Sequence, residues 1–511
     1  MREKHVVVVG AGMAGLVSAL LLSHQGVKVT VVDKAATVGG KIRQLHPNGF
    51  AVDSGPTVFT MRWVFDEIFS AVNASLDRLL KISPLPVLGR HAWDDGSALD
   101  LYADPLASVD AIGRFAGLAE ANNFERFCLK VREVYDTLQA PYIQSATPSM
   151  LQLMGAVGPR GLGVLASLGA MSNLWDSLGK YFGDARLRQL FARYATYCGS
   201  SPWQAPATLM LIAQVEMDGV WAIEGGMHAL PQCMETLAKQ RGAQFMLGQA
   251  CQHINTSAGQ VTGVTLENGQ TLQADAVVFN GDVSALRAGL LGGSVSRATK
   301  PASGERSLSA VTWSIHAKTH GFDLDRHNVF FQNHYASEFT DIFKRQQLPQ
   351  APTVYVCAQD RGFGLAPPAE GERLLCLVNA PAVGDQNVLT DEAIEQCQHH
   401  SFQLLQRCGL EVQTSATNTH RTTPAVFNQL FPATGGALYG QATHGWMSAF
   451  NRPTAKSQIA GLFLAGGSVH PGPGVPMAAM SGRLAGAAVM DHLGLINRST
   501  RVVTSGGMLT H

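Results

Sequence analysis

Apolar and polar positions fall into blocks along the chain, and the period of each block names the element it predicts. A wholly apolar run at 6–9 reads as a strand buried on both faces, 16–22 as a buried helix and 27–32 as a second strand. A helix over 62–72 and short strands within 79–93, interrupted by Pro84 and Pro86, come next. From about 105 to 191 apolar residues recur at three- and four-residue steps, which predicts a helical block, and 193–202 reads as a loop after it. Further on the pattern predicts a helix at 230–240, then strands at 249–254, 261–266 and 276–280 separated by Gly-containing turns. Strands at 310–317, 352–358 and 373–379, a helix at 391–408 and a closing helix at 477–493 complete the set.

The junction of the first strand and helix carries Gly10, Gly12 and Gly15 at G-x-G-x-x-G spacing, with Ala14 in the first helical turn. Gly10 makes the tight turn, Gly12 lets a pyrophosphate approach the backbone, and Gly15 lets helix and strand pack closely. Asp33 closes the second strand with Lys34 beside it, near the ~20-residue offset at which an acid accepts the ribose hydroxyls. Strand, helix, strand and acid in this order predict an α/β, Rossmann-type dinucleotide-binding domain. They also argue against an export signal or a membrane span in the uncharged stretch that follows Arg2 and Lys4.

Composition narrows the function. The 511 residues are long enough for two or three domains. With 38 basic and 38 acidic residues in balance, the basic footprint of a nucleic-acid binder is absent. Charged residues make up 15%, well below the ~25% usual for soluble chains, so either the interior is large or some apolar surface meets a greasy partner. The most lipophilic stretch outside the glycine motifs is 150–175, where Gly155, Gly158, Pro159, Gly161 and Gly163 break it into pieces too short to span a bilayer. A monotopic segment lying in the membrane interface fits it, with a buried helical hairpin as the alternative. The eight cysteines have no C-x-x-C spacing and the histidines no zinc spacing, so no metal site is expected.

After Asp33 come Val38-Gly39-Gly40-Lys41, then Asp53-Ser54-Gly55-Pro56-Thr57, and near the end Ala465-Gly466-Gly467-Ser468-Val469-His470-Pro471-Gly472-Pro473-Gly474-Val475. In these motifs, taken in order, the chain resembles the flavin-dependent amine oxidase and carotenoid desaturase superfamily, and over nearly its whole length the phytoene desaturase-type carotenoid dehydrogenases. The resemblance implies FAD held by Gly10, Gly12, Ala14, Gly15, Asp33, Lys34, Gly40, Lys41, Gly55, Pro56, Thr57, Cys251, Gly466, Gly467, Gly474 and Val475. Two positions depart from the family pattern. Lys41 replaces an arginine, keeping charge but losing the planar fork, and Gly467-Ser468 stands where many flavoproteins have Gly-Asp.

The same resemblance implies a discontinuous FAD-binding domain (1–70, 220–289, 457–495) and goes with a sheet-and-helix substrate domain (71–104, 192–219, 290–456), while the lipophilic helical pattern marks a membrane-associating part (105–191) and the Ser, Thr and Gly content a flexible tail (496–511). Asp53 to Phe65 is most similar to family members that oxidise the C3–C4 bond of acyclic 1-hydroxylated carotenoids. Hydride transfer to flavin N5 would leave a cation that the polyene delocalises, so loss of the proton needs only a weak base; no residue is singled out for it, although His470 adjoins the expected flavin turn. The expected partners are a long apolar carotenoid, a membrane surface and an acceptor such as oxygen or quinone, in a cytoplasmic protein attached peripherally to the inner membrane. A phytoene desaturase, an amine or porphyrinogen oxidase and an FAD-free lipid escort protein remain alternatives at this point.

Overall fold

The computed structural model describes residues 3–167, 172–364 and 366–495. At its centre a five-stranded parallel sheet runs in the spatial order Gln244–Leu247, Lys28–Asp33, His5–Val9, Ala276–Phe279, Leu462–Leu464. Counted along the chain this is 3-2-1-4-5, the doubly wound order, so the winding reverses between the first and fourth strands. Val6, Val7 and Val8 are wholly buried, as a parallel sheet covered on both faces requires. The edge strand Gln244–Leu247 escapes the sequence pattern because it is short and only half-buried, which leaves no period to read.

Two helices lie side by side against this sheet, Met13–His24 from the glycine motif and Val475–His492 from the closing motif. A side chain on Gly482 would run into the Ala14 carbonyl, and a Cβ on Gly486 would lie 4.0 Å from Ser18 Cα, so the helices run parallel and in register. Ser18 Oγ is within 2.9 Å of the carbonyl oxygens of both Ala14 and Gly482. The contact falls on the second residue of one helix and the eighth of the other. At 1.5 Å per residue, the closing helix therefore begins about 9 Å before the first one, its N-terminus projecting that far out beyond the glycine turn.

A seven-stranded mixed sheet forms the second layer, in the order Thr419–Thr422, Ser309–Ala317, Glu372–Ala380, Val354–Ala358, His327–Phe331, Val87–Trp93, Ala98–Tyr102. Only the pair His327–Phe331 and Val87–Trp93 is parallel. Helix Asp391–Arg407 packs on one of its faces through Ile394, Cys397, Leu404 and Leu405. A small three-stranded meander, Cys251–Ser257, Gln260–Leu266 and Thr271–Gln273, sits beside the parallel sheet. It shifts the strand expected at 249–254 to a start at Cys251. The loop expected at 193–202 is a correction too: Arg193–Cys198 continues helix Ala185–Ala192 as a tighter 3₁₀ turn, stopped by Gly199 at φ +66°.

The helical block contains Pro105–Ala116, Leu118–Leu138 and Met150–Ser167. The last is broken as its glycines and proline predict, with Gly158 leaving the helical region (φ +62°) just before Pro159. It is two-sided. Leu153 and Val164 are buried in the core, whereas Leu151 is 83% exposed and Met154 and Leu162 also face outward. Residues 168–171 of the lipophilic stretch and the expected tail at 496–511 lie outside the described residues. Among the described residues no helix is long and apolar enough to cross a membrane.

The helix contact sets a sharp expectation. Gly482→Val forces the closing helix off Ala14 and costs about 1–3 kcal/mol or more, whereas Gly486→Ala, with open space, is tolerated. Thermal unfolding of the two variants checks this: a melting temperature for Gly482→Val equal to that of the unsubstituted protein would show that the helices are not held at this contact.

Candidate functional site

The crevice lies where the winding reverses, at the carboxyl ends of strands His5–Val9 and Ala276–Phe279. Gly10 turns out of the first strand at φ +105°, and a Cβ there would lie 3.0 Å from the Asn280 carbonyl oxygen. One on Gly12 would lie 2.9 Å from Asn280 Oδ1, and one on Gly15 would strike the Gly10 carbonyl. These glycines are thus required by close packing as well as by any ligand. Helix Met13–His24 starts at Gly12 with no side-chain cap and no acidic residue in its first turn, so the N–H groups around Ala14 and Gly15 are left for an outside acceptor. Asn280 Oδ1 is buried without a hydrogen-bond partner among the described residues.

Asp33 organises the other end of the crevice: its carboxylate accepts from the backbone N–H of Ala11 (2.6 Å) and of Ala35 (2.8 Å). Residues 248–251 run alongside it, with Gly248 N donating to Ala35 O and Gln249 N to Asp33 O, both at 2.9 Å, which brings the start of the Cys251 strand next to Asp33. Gly39 N donates to Ala11 O at 2.8 Å, and a Cβ on Gly40 would lie 3.1 Å from Gly12 Cα. Lys34 and Lys41 have other partners than the crevice. Lys34 Nζ donates to Gln429 O at 2.9 Å, while Lys41 Nζ donates to Leu438 O at 2.5 Å and lies over the Phe431 ring. Burial lowers the Lys41 ammonium below its ordinary range, with Asp282 opposing and Arg452 adding to that shift.

Two further segments complete the wall. Asp53 accepts from Met227 N (2.5 Å) and Gln44 Nε2 (3.0 Å), and Gln359 Nε2 donates to its carbonyl (2.8 Å), which fixes the turn Gly55-Pro56-Thr57 between the two sheets. A Cβ on Gly55 would run into the Lys41 carbonyl. The closing turn passes Gly466 (φ +128°), whose N–H donates to Ser481 Oγ at 3.1 Å, then Gly467, and enters helix Val475–His492 at Gly474, again without a side-chain cap. Ser468, in the place of the usual acid, accepts from Val283 N at 3.2 Å. His470 is 2% exposed and its Nε2 pairs with the Ser145 carbonyl at 2.9 Å, so it ties the closing turn to the helical block.

Beyond Thr57 the structure gathers a buried polar cluster that no sequence motif announces. Tyr194 and Tyr197 donate to the two oxygens of Glu216 at 2.7 and 2.6 Å. Tyr355 OH bridges Thr57 Oγ1 and His327 Nδ1 at 2.7 Å each, and the Arg193 guanidinium lies over its ring. All of these but Thr57 line a small cavity of about 20 Å³, room for roughly one water. A larger open cavity of about 490 Å³ lies elsewhere, bounded by Lys4, Asp275 and His492 at the amino ends of the parallel strands, away from the edge where such folds bind ligands.

A doubly wound sheet with an uncapped glycine helix at its crossover defines the class, a dinucleotide-binding oxidoreductase fold. A solved structure agrees: an oxidoreductase from Methanosarcina mazei matches with a TM-score of 0.58 at 16% identity, covering 95% of this chain and 100% of that one. The model of the flavin-containing amine oxidoreductase family matches residues 13–490. Hydroxyneurosporene desaturases from Rubrivivax gelatinosus (56% identical, 100% of this chain and 98% of the relative) and Cereibacter sphaeroides (42%, 96% and 98%) are similar over full length. The chain belongs to the flavin-containing amine oxidoreductases, within their carotenoid desaturase branch.

Three buried histidines make the fold acid-sensitive. Burial lowers His91 to about 4, His327 to about 3 and His470 to about 4. The unfolded chain takes up these protons near pH 6.5, the folded protein only well below pH 5, so stability falls as the pH drops through that window. Glu216, raised by burial, works in the opposite sense. The melting temperature falls between pH 7 and pH 5, and His327→Gln makes the fall smaller. A pH dependence identical in the variant would exclude His327 as a contributor.

Proposed function

We propose that the protein is an FAD-dependent carotenoid desaturase that removes two hydrogens across the C3–C4 bond of acyclic 1-hydroxylated carotenoids. What carries the reading is the full-length, 56% identity to a hydroxyneurosporene desaturase, on a chain whose nucleotide crevice is intact. The crevice fits FAD on structural grounds: bare glycines on Asn280, an uncapped helix start, and a second uncapped helix start projecting about 9 Å beyond it.

When bound, FAD supplies the two-electron acceptor for hydride removal. The first-turn N–H groups of Met13–His24 receive the pyrophosphate, Asp33 and the strand beginning at Cys251 the ribose and adenine end, and Gly55, Pro56 and Thr57 face the flavin end. Gly466 and Gly467 leave room for the ribityl chain, and Gly474 and Val475 present the closing helix's N-terminus, where negative charge is stabilised. Gly40 belongs to this cradle through Gly12. Lys34 and Lys41 act from behind it, by tying the nucleotide crevice to segments 424–430 and 431–438. The chain divides as the motifs divide it, with a discontinuous FAD-binding domain at 1–70, 220–289 and 457–495 and a substrate domain around the seven-stranded sheet.

Peripheral attachment to a membrane delivers the substrate, an apolar molecule that does not dissolve in water. The surface that fits this role is the outward side of the helical block, where Leu106, Leu118, Leu129, Leu151, Met154 and Leu162 are exposed. Leu153, by contrast, is a core residue and unsuited to the task.

Three outcomes test the reading. The purified protein carries non-covalent FAD, and Asp33→Ala loses retention by about tenfold or more, the worth of a charge-assisted contact; absorbance near the flavin band after gel filtration measures it. Leu151→Glu with Leu162→Glu weakens cosedimentation with vesicles while flavin content is unchanged, and undiminished cosedimentation would move the membrane contact elsewhere. In cells that make neurosporene, pigment chromatography shows conversion of its 1-hydroxy derivative and not of phytoene; efficient conversion of phytoene would place the enzyme at an earlier desaturation.

A further inference from the structure

The cavity beyond Thr57 has one apolar wall and one polar wall. Val58, Leu88, Leu101 and Val329 supply the first, and Arg193, Tyr197, Glu216, Tyr355 and His327 the second. Most of the polar atoms have protein partners. His327 is the exception: it is 4% exposed, its Nδ1 is bonded to Tyr355 OH, and its Nε2 is buried with no partner among the described residues. A buried ring nitrogen left unpaired is costly, and interiors that keep one keep it for a ligand or a water.

The hydroxyl of a 1-hydroxylated carotenoid end is the size of the single water this cavity of about 20 Å³ admits. The terminal carbon carries two methyl groups and one hydroxyl, an apolar cap with a single polar atom. The hydroxyl oxygen is three single bonds from C3, so at about 1.5 Å per bond it lies only about 4 Å from the carbon that reacts. Its partner must therefore stand next to the oxidised bond and not at the far end of a long tunnel. Thr57 belongs to the turn assigned above to the flavin, and two hydrogen bonds, through Tyr355, lead from its hydroxyl to His327. We propose that the hydroxyl of the substrate's carbinol end takes the place of the one water this cavity has room for, with His327 Nε2 as the group that hydrogen-bonds it. The proposal rests on the desaturase reading and adds the residue that selects hydroxylated chains.

The relay accepts either polarity. If Thr57 donates to Tyr355 and Tyr355 to Nδ1, then Nε2 carries the proton and donates to the substrate oxygen. If the chain runs the other way, Nδ1 carries the proton and Nε2 accepts from the substrate hydroxyl. A hydroxyl serves both arrangements because it is donor and acceptor at once. A carotenoid ending in a hydrocarbon leaves Nε2 unpaired, a difference of about ten- to hundredfold in favour of the hydroxylated chain.

Asparagine and glutamine separate the two ring nitrogens. His327→Asn reproduces the bond to Tyr355 from the Nδ1 position and lacks the outer nitrogen, whereas His327→Gln reaches the Nε2 position. The experiment measures kcat/KM of the flavin-loaded enzyme for hydroxyneurosporene and for neurosporene, and Kd for each by quenching of tryptophan fluorescence. The expected result is a hydroxylated-to-plain ratio that falls about tenfold or more in His327→Asn and is largely kept in His327→Gln, with the Kd ratio moving alike. An unchanged ratio in His327→Asn, or equal losses on both carotenoids, overturns the subsite. Should His327→Asn fail to retain flavin, Tyr355→Phe deletes one oxygen of the relay and is expected to lower the same ratio; an unchanged ratio there also overturns it. An unsubstituted enzyme that desaturates neither carotenoid overturns the desaturase reading itself, and the subsite with it. A wild-type preference that survives the variants overturns the subsite alone.

Discussion

The contact between Ala14 and Gly482 is the constraint on which the rest depends. Two helices that approach closely enough for Ser18 to reach carbonyls on both resist sliding, because a shift by one or two residues brings side chains where Gly482 now meets the Ala14 carbonyl. Their fixed offset places one uncapped N-terminus at the strand crossover and another about 9 Å beyond. A flavin dinucleotide carries negative charge in two places, on its pyrophosphate always and on its isoalloxazine when reduced, and a rigid pair of positive helix ends suits a molecule of that form. The segments joined here are more than 460 residues apart in sequence, since Ser18 bonds Gly482 across a separation of 464.

Around that pair, the chain uses polar side chains as cross-braces rather than as surface. Asp53 ties the turn before Thr57 to Met227 and Gln359, His470 ties the closing turn to Ser145, and Lys41 ties the crevice to Leu438. Each brace crosses from the nucleotide sheet to another part of the molecule. Arg452 does the same within the closing segment, donating to the carbonyls of Tyr439, Gln441 and Gly467. Buried donors and acceptors fully engaged with one another hold a geometry that apolar packing alone leaves adjustable. His327, like His470, has one ring nitrogen engaged and the other buried without a partner among the described residues, but of the two only His327 lines the cavity beyond Thr57.

The low charged fraction finds two outlets in the structure. Much of it is interior: four apolar cores surround the two sheets and the helical block. Part of the remainder is on the helical block, where Leu106, Leu118, Leu129, Leu151 and Leu162 are exposed. Met150–Ser167 shows both at once: Leu153 and Val164, eleven residues or about three turns apart, are buried while Leu151 and Leu162, at the same spacing, are exposed.

The sequence by itself determined everything that depends on neighbouring residues. The buried valines of the first strands, the glycine turn, the break at Gly158 and Pro159 and the closing helix were all legible, since period, steric freedom and missing N–H groups act within a few positions. Family resemblance extended this to the cofactor and the class of bond oxidised only through recognisable motifs, and where motifs thin out it named positions whose partners it did not know. Lys34 and Lys41 were legible as charges beside the crevice, yet their ammonium groups bond carbonyls from residues 429 and 438. Asn280, the stagger of the two helices and the cluster of Arg193, Glu216, Tyr355 and His327 were illegible, because each joins segments far apart in sequence that only the packed fold brings together. A histidine opening one strand and a tyrosine within another look like ordinary core residues until the register His327 to Cys357 sets their side chains within hydrogen-bonding distance. Tertiary structure decided that pairing, and with it which buried nitrogen was left without a partner.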